Sequence, residues 1–235
     1  MTRLVLGLPS KGRLMEDSFG WFAERGIAVR RSGQDRTYAA VAKGLDGLDI
    51  ALLSAAEIPA ALTQGRIHCG VTGDDLVREA MPDRAPRVRR LAALGIGGAD
   101  VVVAVPAFWI DVETMGDLDQ VAARFRARHG HGLRVATKYP NLARAFFHEK
   151  GVADYRLIDS QGATEAAPKN LTAEAIVDIT STGETLRANH LRVLDDGLIL
   201  RSEAALWLAD AAVWDGPARR TLRGLAARLG LDAPA

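Results

Sequence analysis

The sequence contains a single cysteine, Cys69, among its 235 residues. No disulfide bond can therefore form within the chain, which favours a reducing compartment over a secreted one. A strong excess of charge is also missing, since the net charge is +1 at pH 7. Such a balance creates no global field that would attract nucleic acid or a membrane surface.

Long apolar segments are missing as well. The longest run, residues 101–110, is interrupted by Pro106 and is too short to span a bilayer. The first residues lead directly into a strand pattern and show no cleavage site of a secretory signal. These absences predict a cytoplasmic protein that binds neither nucleic acid nor membranes.

Hydrophobic residues, in contrast, make up 48% of the chain, which is enough for a substantial core. Short apolar runs typical of strands alternate with helical patterns, beginning with residues 4–8 and 14–25. This alternation predicts an α/β protein with mainly parallel sheets. The glycine-rich segment 95–99 precedes a strand instead of following one, and we interpret it as a crossing into a second domain.

The last fifty residues carry weaker signals. Two apolar segments flank Asp196-Gly197, which is typical of a hairpin. We expect its strands to return to the first domain. Residues 203–212 and 219–229 are predicted to be helical, with Pro217 between them.

The most informative stretch is residues 175–186. An apolar run predicts a buried strand, Asp178 lies near its end, and three hydroxyl residues and Gly183 follow before a predicted helix start. Backbone amides, hydroxyls and a helix N-terminus are suited to bind a phosphate, and glycine allows close approach. An acid beside a phosphate site suits a ligand that also carries hydroxyls, such as a ribose phosphate.

A simpler interpretation is that Thr180, Ser181 and Thr182 only cap a helix. A similar choice applies to Lys11-Gly12-Arg13, which follows the first strand. The two cations could oppose phosphate oxygens, because open α/β sheets bind ligands at strand ends. A solvated basic turn is the alternative.

Metal sites receive little support from the sequence. His68 and Cys69 are neighbours in a predicted strand, so their side chains point to opposite faces and core packing explains them better. His129 and His131 lie in a predicted exposed loop. We therefore predict no metal ligands from the protein.

Four motifs in this order resemble the ATP phosphoribosyltransferase family over nearly the whole chain. They are Pro-Ser-Lys-Gly-Arg near the N-terminus, a Gly-x-x-Gly-x-Asp turn at residues 70–75, Arg-Val-Ala-Thr-Lys-Tyr-Pro-Asn at residues 134–141, and the loop that ends in Thr-Gly-x-Thr. The resemblance implies transfer of the phosphoribosyl group of phosphoribosyl diphosphate to N1 of ATP, the first step of histidine biosynthesis. It implies Mg²⁺ carried on the substrates.

The resemblance also implies an architecture. We expect two lobes with a cleft between them, similar to type II periplasmic binding proteins. Residues 1–94 with 187–235 would form the first lobe, and residues 95–186 the second. The length is similar to that of the short form of the family, which works with a regulatory subunit resembling histidyl-tRNA synthetase. We therefore expect a dimer within a hetero-oligomer.

Site residues follow from the same resemblance. Asp178 and Glu165 would accept hydrogen bonds from ribose hydroxyls, although Glu165 could instead be only a helix-capping acid. Arg36 and Lys11 would oppose phosphates. The phosphoribosyl diphosphate loop would comprise Asp178, Thr180, Ser181, Thr182, Gly183, Glu184 and Thr185. The ATP contacts would comprise Lys11, Gly12, Arg13, Arg36, Gly73 and Asp74.

One position departs from the family pattern. Ser54 stands where many members carry an arginine before Ile-Pro, and Glu57 replaces an aspartate. Another group must then neutralise any phosphate that this arginine binds. Two other functions stay open: a solute-binding protein of the same architecture, and a phosphoribosyltransferase for another base.

Overall fold

A computed structural model describes residues 3–31, 39–82, 87–160 and 162–231. The chain divides into two compact units, Met1–Gly97 with Glu203–Ala235 and Gly98–Ser202. The first crossing lies within the predicted glycine-rich segment. The second lies between Ser202 and Glu203, so the predicted return at residue 187 is wrong.

The first unit is built on a seven-stranded sheet with the order β2-β3-β4-β1-β5-β12-β6. Its strands are β1 (Leu4–Pro9), β2 (Ala28–Arg31), β3 (Ala39–Lys43), β4 (Leu48–Leu53), β5 (Cys69–Gly73), β6 (Val88–Ala93) and β12 (Ala204–Ala209). Its helices are α1 (Arg13–Glu24), α2 (Ile58–Thr63), α3 (Asp74–Ala80) and α7 (Gly216–Leu229).

The strand directions divide this sheet into a parallel centre and antiparallel flanks. β1 pairs in parallel with both β4 and β5, whereas the β2–β3, β3–β4, β5–β12 and β12–β6 pairs are antiparallel. The α/β class is therefore confirmed, but the sheet is mixed. The leucines of β1 pack with Phe22 of α1 and Leu225 of α7 in one buried cluster.

β12 corrects a predicted helix at residues 203–212. All six residues from Ala204 to Ala209 are buried, and the strand lies between β5 and β6. A short apolar run has no periodicity that separates a helix from a strand buried on both faces. Here the pairing with β5 and β6 makes the segment a strand.

The second unit is built on a five-stranded sheet with the order β11-β7-β10-β8-β9. Its strands are β7 (Ala99–Pro106), β8 (Leu133–Thr137), β9 (Tyr155–Asp159), β10 (Ala175–Thr180) and β11 (Leu191–Ser202). Its helices are α4 (Met115–His129), α5 (Pro140–Glu149), α6 (Glu184–Ala188) and a 3₁₀ turn at Thr164–Ala166. β8 pairs in parallel with β9 and β10, while β7 is antiparallel to β10 and β11.

β11 corrects the predicted hairpin. It is one strand that pairs with β7 along its length, and the register shifts between Val193 and Leu198. At this irregularity a Cβ on Gly197 would lie 3.0 Å from the Val103 carbonyl oxygen. The glycine therefore allows a close backbone approach within a bulged strand, and the pairing keeps residues 191–202 in the second unit.

The helices in the described ranges are too short or too polar to cross a membrane.

Candidate active site

The carboxyl ends of β8, β9 and β10 meet at one edge of the second unit, because these strands are parallel. Lys138 follows β8, Ser160 follows β9, and Asp178 lies two residues before the end of β10. Open α/β sheets bind ligands at such an edge. The fold therefore brings the informative stretch of the sequence together with two other strand ends.

Asp178 is the most buried acid of this edge, with 12% of its side chain exposed. The backbone N–H of Ile179 donates to its Oδ1 at 2.8 Å, and Nζ of Lys138 lies 3.4 Å from the same oxygen. Burial raises the pKa of Asp178 above its ordinary value, the Lys138 charge and the Ile179 N–H oppose this, and the negative charge of Glu165 raises it further. The site thus holds a carboxylate in a desolvated position beside one cation.

Glu165 lies in the 3₁₀ turn after β9. Ala163, which precedes this turn, has a left-handed backbone with φ 47°, and the Thr164 hydroxyl donates to Oγ of Ser160 at 3.0 Å. The turn is thereby tied to the end of β9. Because this turn follows the carboxyl end of β9, Glu165 lies at the same edge as Asp178, and its negative charge raises the pKa of Asp178.

The loop after β10 is ordered by its own hydroxyls. The Gly183 N–H donates to Oγ1 of Thr180 at 2.9 Å, and the Glu184 N–H is 3.4 Å from Oγ1 of Thr182. Gly183 has φ 73°, a left-handed conformation that disfavours a side chain. Ser181, Thr182, Glu184 and Thr185 are exposed.

Helix capping describes part of this loop. Gly183 is the N-cap of α6 and has no side chain to cap the helix, while the Thr182 hydroxyl lies near the first helical N–H. α6 is only five residues long, so any anion site here relies on loop amides, hydroxyls and nearby cations more than on the helix dipole.

The carboxyl ends of β4, β1 and β5 meet at one edge of the first unit, again because these strands are parallel. Lys11, Gly12 and Arg13 follow β1 and are exposed. Gly12 has φ 75° at the N-cap of α1. Among the described residues, the one carboxylate that contacts Arg13 is Asp17, at 4.0 Å, so the part of the chain that the structure describes compensates this basic turn only weakly.

Gly73 and Asp74 lie at the same edge, where β5 leads into α3. The Asp74 carboxylate is 10% exposed and lies 3.7 Å from a guanidinium nitrogen of Arg90. Arg90 also contacts Glu203, and Arg89 pairs with Asp210 at 2.9 Å. These two arginines are therefore engaged in ion pairs.

The comparison with known proteins identifies the family. The model of the family described as HisG: ATP phosphoribosyltransferase matches residues 54–230. The chain belongs to this family.

Relatives agree with this assignment. The chain is 56% identical over 231 residues to an ATP phosphoribosyltransferase of Cereibacter sphaeroides, and the match covers 98% of each chain. It is 52% identical to an ATP phosphoribosyltransferase of Rhodopseudomonas palustris, of which it covers 72%, and 54% identical to one of Nitrobacter winogradskyi, of which it covers 68%. The resemblance seen in the sequence motifs is confirmed.

Solved structures confirm the fold. The chain is similar to an ATP phosphoribosyl transferase (HisG:HisZ) complex from Thermotoga maritima, with a TM-score of 0.64, 24% identity and coverage of 88% and 87%. It also resembles the alkanesulfonate-binding protein SsuA of Xanthomonas axonopodis, with a TM-score of 0.51, 15% identity and coverage of 99% and 81%. The type II periplasmic-binding-protein architecture expected from the family is therefore present.

Two cations of the second unit were not among the predicted site residues. Lys138 pairs with Asp178, and its signal was its position directly after β8 in the family motif. The Arg187 side chain of α6 extends back to the N-cap. Its Nη1 would lie 2.9 Å from a Cβ added at Gly183. The second contact joins a residue of α6 to the N-cap of the same helix and depends on a side-chain conformation that the sequence does not give.

Arg36, predicted to oppose phosphates, lies outside the described residues.

Ser54 and Glu57, at the position that departs from the family pattern, contact each other. Ser54 donates from its backbone N–H and its hydroxyl to the Glu57 carboxylate at 3.0 and 2.7 Å, and these bonds lower the pKa of Glu57. α2 begins at Ile58, so these bonds lie in the turn that precedes the helix.

The histidine beside the lone cysteine is part of the core. The Val5 N–H donates to Nδ1 of His68 at 3.1 Å, and Nε2 is 3.1 Å from the Val213 carbonyl oxygen. In the neutral ring Nδ1 then accepts and Nε2–H donates. Within the described ranges, no group of three or more His, Cys, Asp or Glu side chains is placed to hold a metal ion.

Proposed function

We infer that the chain transfers the 5-phosphoribosyl group of phosphoribosyl diphosphate to N1 of ATP and releases pyrophosphate, the first step of histidine biosynthesis. The observation that carries this inference is the 56% identity to an ATP phosphoribosyltransferase over 98% of both chains. The arrangement of the second unit supports it, because a buried acid lies beside a hydroxyl-rich loop at a ligand-binding sheet edge.

The donor is assigned to the second unit. The 5′-phosphate would accept hydrogen bonds from the loop between Thr180 and Thr185, with the exposed hydroxyls and the Arg187 guanidinium as further donors. Asp178 and Glu165 would accept from the two ribose hydroxyls. An ionised carboxylate is suited to this role because it only accepts, and a diol offers two donors.

ATP is assigned to the first unit. Lys11 and Arg13 would oppose its phosphates, and Gly12 leaves space for close approach to the turn backbone. Gly73 and Asp74 would line the same edge. Arg36 belongs to this proposal through the family resemblance alone.

The chemistry requires electrostatic stabilisation more than proton transfer. As pyrophosphate departs, positive charge develops at C1 of the ribose, and nearby carboxylates stabilise it. N1 of adenine carries no proton, so no general base is required at that atom. Holding both reactants in the correct orientation supplies much of the remaining acceleration. The substrates would enter as their Mg²⁺ complexes, in which the ion neutralises phosphate charge and needs few protein ligands.

A regulatory partner is part of the proposal. The solved structure with the highest TM-score among those compared above is described as a HisG:HisZ complex. We propose that this chain likewise acts as a dimer within a hetero-oligomer that contains a subunit resembling histidyl-tRNA synthetase.

A turnover experiment tests the function. The purified chain, alone and with a synthetase-like subunit from the same genome, is incubated with phosphoribosyl diphosphate, Mg²⁺ and ATP, and the adduct and pyrophosphate are followed by mass spectrometry and a phosphate assay. We expect pyrophosphate release only when ATP is present. Release with a free nucleobase in place of ATP would support a transferase for another base, and binding without turnover under all conditions would support a solute-binding protein.

A further inference from the structure

Arg31 is the last residue of β2, at the edge of the first unit that carries Lys11. β2 is antiparallel to β3, and β3 is antiparallel to β4, so β2 runs in the same direction as β4 and β1. Its carboxyl end therefore lies at the same edge as theirs. Nothing in the sequence motifs singled out this arginine.

The Arg31 side chain reaches the basic turn. Its Nη2 donates to the carbonyl oxygen of Ser10 and lies 3.2 Å from Sδ of Met15. Ser10 directly precedes Lys11, so the guanidinium is fixed beside the backbone of the turn that we assign to ATP. Contacts with the residue that follows β1 and with the first turn of α1 hold it there.

Described residues use only a small part of the hydrogen-bonding capacity of this guanidinium. It carries five N–H donors, and both of its contacts with described residues involve Nη2, so that no described residue accepts from Nε or Nη1. Within the described ranges, neither Arg31 nor Lys11 forms an ion pair with a carboxylate, and Arg13 has only its distant contact with Asp17. Three cations thus lie on or beside one turn, with little compensating negative charge from described residues, which favours a polyanionic ligand.

We propose that Arg31 is a further substrate-binding residue, which donates to the phosphoryl oxygens of ATP beside Lys11 and Arg13. This inference rests on the proposed function for the choice of ATP as the ligand. An arginine is suited to the role because its planar fork donates two parallel hydrogen bonds to a phosphate.

The chain offers a matched control in Arg30. Successive residues of a strand point to opposite faces, and Val29, on the same face as Arg31, is buried in the cluster that includes α1. Arg30 is exposed on the other face and pairs across from Val41. Arg30→Ala removes the same charge from the same strand without removing a group from the turn.

Calorimetric binding of ATP, pyrophosphate and adenosine to the full chain, each with Mg²⁺, tests the proposal. For Arg31→Ala we expect ATP affinity to fall about tenfold or more, because a hydrogen bond to a charged group is lost. Adenosine affinity should stay within about twofold, since the phosphates are absent. Arg31→Lys should recover part of the loss, and Arg30→Ala should match the unchanged chain.

Three other results of these binding measurements would contradict the proposal. Unchanged ATP affinity in Arg31→Ala would overturn it. An equal loss for adenosine would show that Arg31 only supports the turn through Ser10. A loss for pyrophosphate without a loss for ATP would move the contact to the other substrate. If the unchanged chain binds ATP but forms no adduct, the proposed function fails while the Arg31 comparison still stands.

Discussion

Two lysine–aspartate pairs in the second unit look alike but behave differently. Nζ of Lys138 lies 3.4 Å from Asp178, and Nζ of Lys150 lies 3.1 Å from Asp196. Each ammonium also lies over the ring of a nearby aromatic residue, at 5.3 and 5.5 Å from the centroid. Yet the pKa of Asp178 is raised and that of Asp196 is lowered.

The difference comes from burial and hydrogen bonding. Asp196 is 39% exposed, and the Met115 N–H at the start of α4 donates to it at 2.8 Å. That bond and Lys150 outweigh the effect of its partial burial on the pKa. For Asp178, desolvation and the neighbouring acid Glu165 outweigh its partners. An acid such as Asp178, whose pKa is raised by desolvation, is typical of a functional site. Asp196, which accepts a hydrogen bond from the first N–H of α4, instead stabilises the fold.

The largest effect should come from Asp178→Asn, which keeps the shape and removes the charge. We expect kcat to fall about 100-fold, because the developing positive charge at C1 loses its carboxylate. Steady-state kinetics of adduct formation would measure it. Asp196→Asn is the matched control, and we expect near-unchanged kcat with a lower melting temperature. Equal kcat losses in both variants would remove the distinction between the pairs.

Lys138→Met should have the next largest effect. The variant removes the cation that lowers the pKa of Asp178, so that pKa rises further. We expect kcat/KM at neutral pH to fall about tenfold. The acid limb of the pH–rate profile should move to higher pH, because activity requires ionised Asp178. Lys150→Met should leave the acid limb of the pH–rate profile unchanged. A shift of that limb in Lys150→Met would show that the titrating group is not Asp178.

Gly183→Ala should have a smaller effect on the loop beside the first pair. The backbone has φ 73°, and a Cβ would lie 2.9 Å from the movable Arg187 guanidinium. The unfavourable conformation should cost about 1 kcal/mol of unfolding free energy. Gly130→Ala is the matched control and should lower the unfolding free energy by a similar amount. Gly130 has φ 74°, and no atom beyond its chain neighbours lies within 4 Å of an added Cβ. Only Gly183→Ala should raise KM for phosphoribosyl diphosphate, by a few-fold.

The smallest expected effect is the difference in how Asp178 and Asp196 make stability depend on pH. Asp178 has a raised pKa in the folded state, so the folded chain retains this proton longer and its stability falls as pH rises from about 4 through the raised value. Asp196 has a lowered pKa, so its stabilisation is present above about pH 4 and is lost as pH falls below that.

Chemical denaturation of each asparagine variant against pH would measure these contributions. Relative to the unchanged chain, Asp178→Asn should gain stability as pH rises through the window above pH 4. Asp196→Asn should lose stability as pH rises from acid to neutral. The same trend in both variants would contradict the opposite pKa shifts.

Local patterns predicted much of the fold. β1 and α1 differ from the predicted ranges 4–8 and 14–25 by about one residue, because caps and periodicity are local properties. β12 and β11 were mispredicted for the opposite reason. A buried apolar run and a bulged strand take their conformation from neighbouring strands distant in the sequence.

The sequence by itself determined the family and the hydroxyl-rich loop around Gly183, because these depend on residue types at fixed spacings. Tertiary structure alone decided that Lys138, Glu165 and Asp178 share one environment and that Arg31 reaches the basic turn. Such contacts join strand ends that are far apart along the chain. Their energetics follow from burial and distance, which residue spacing does not encode.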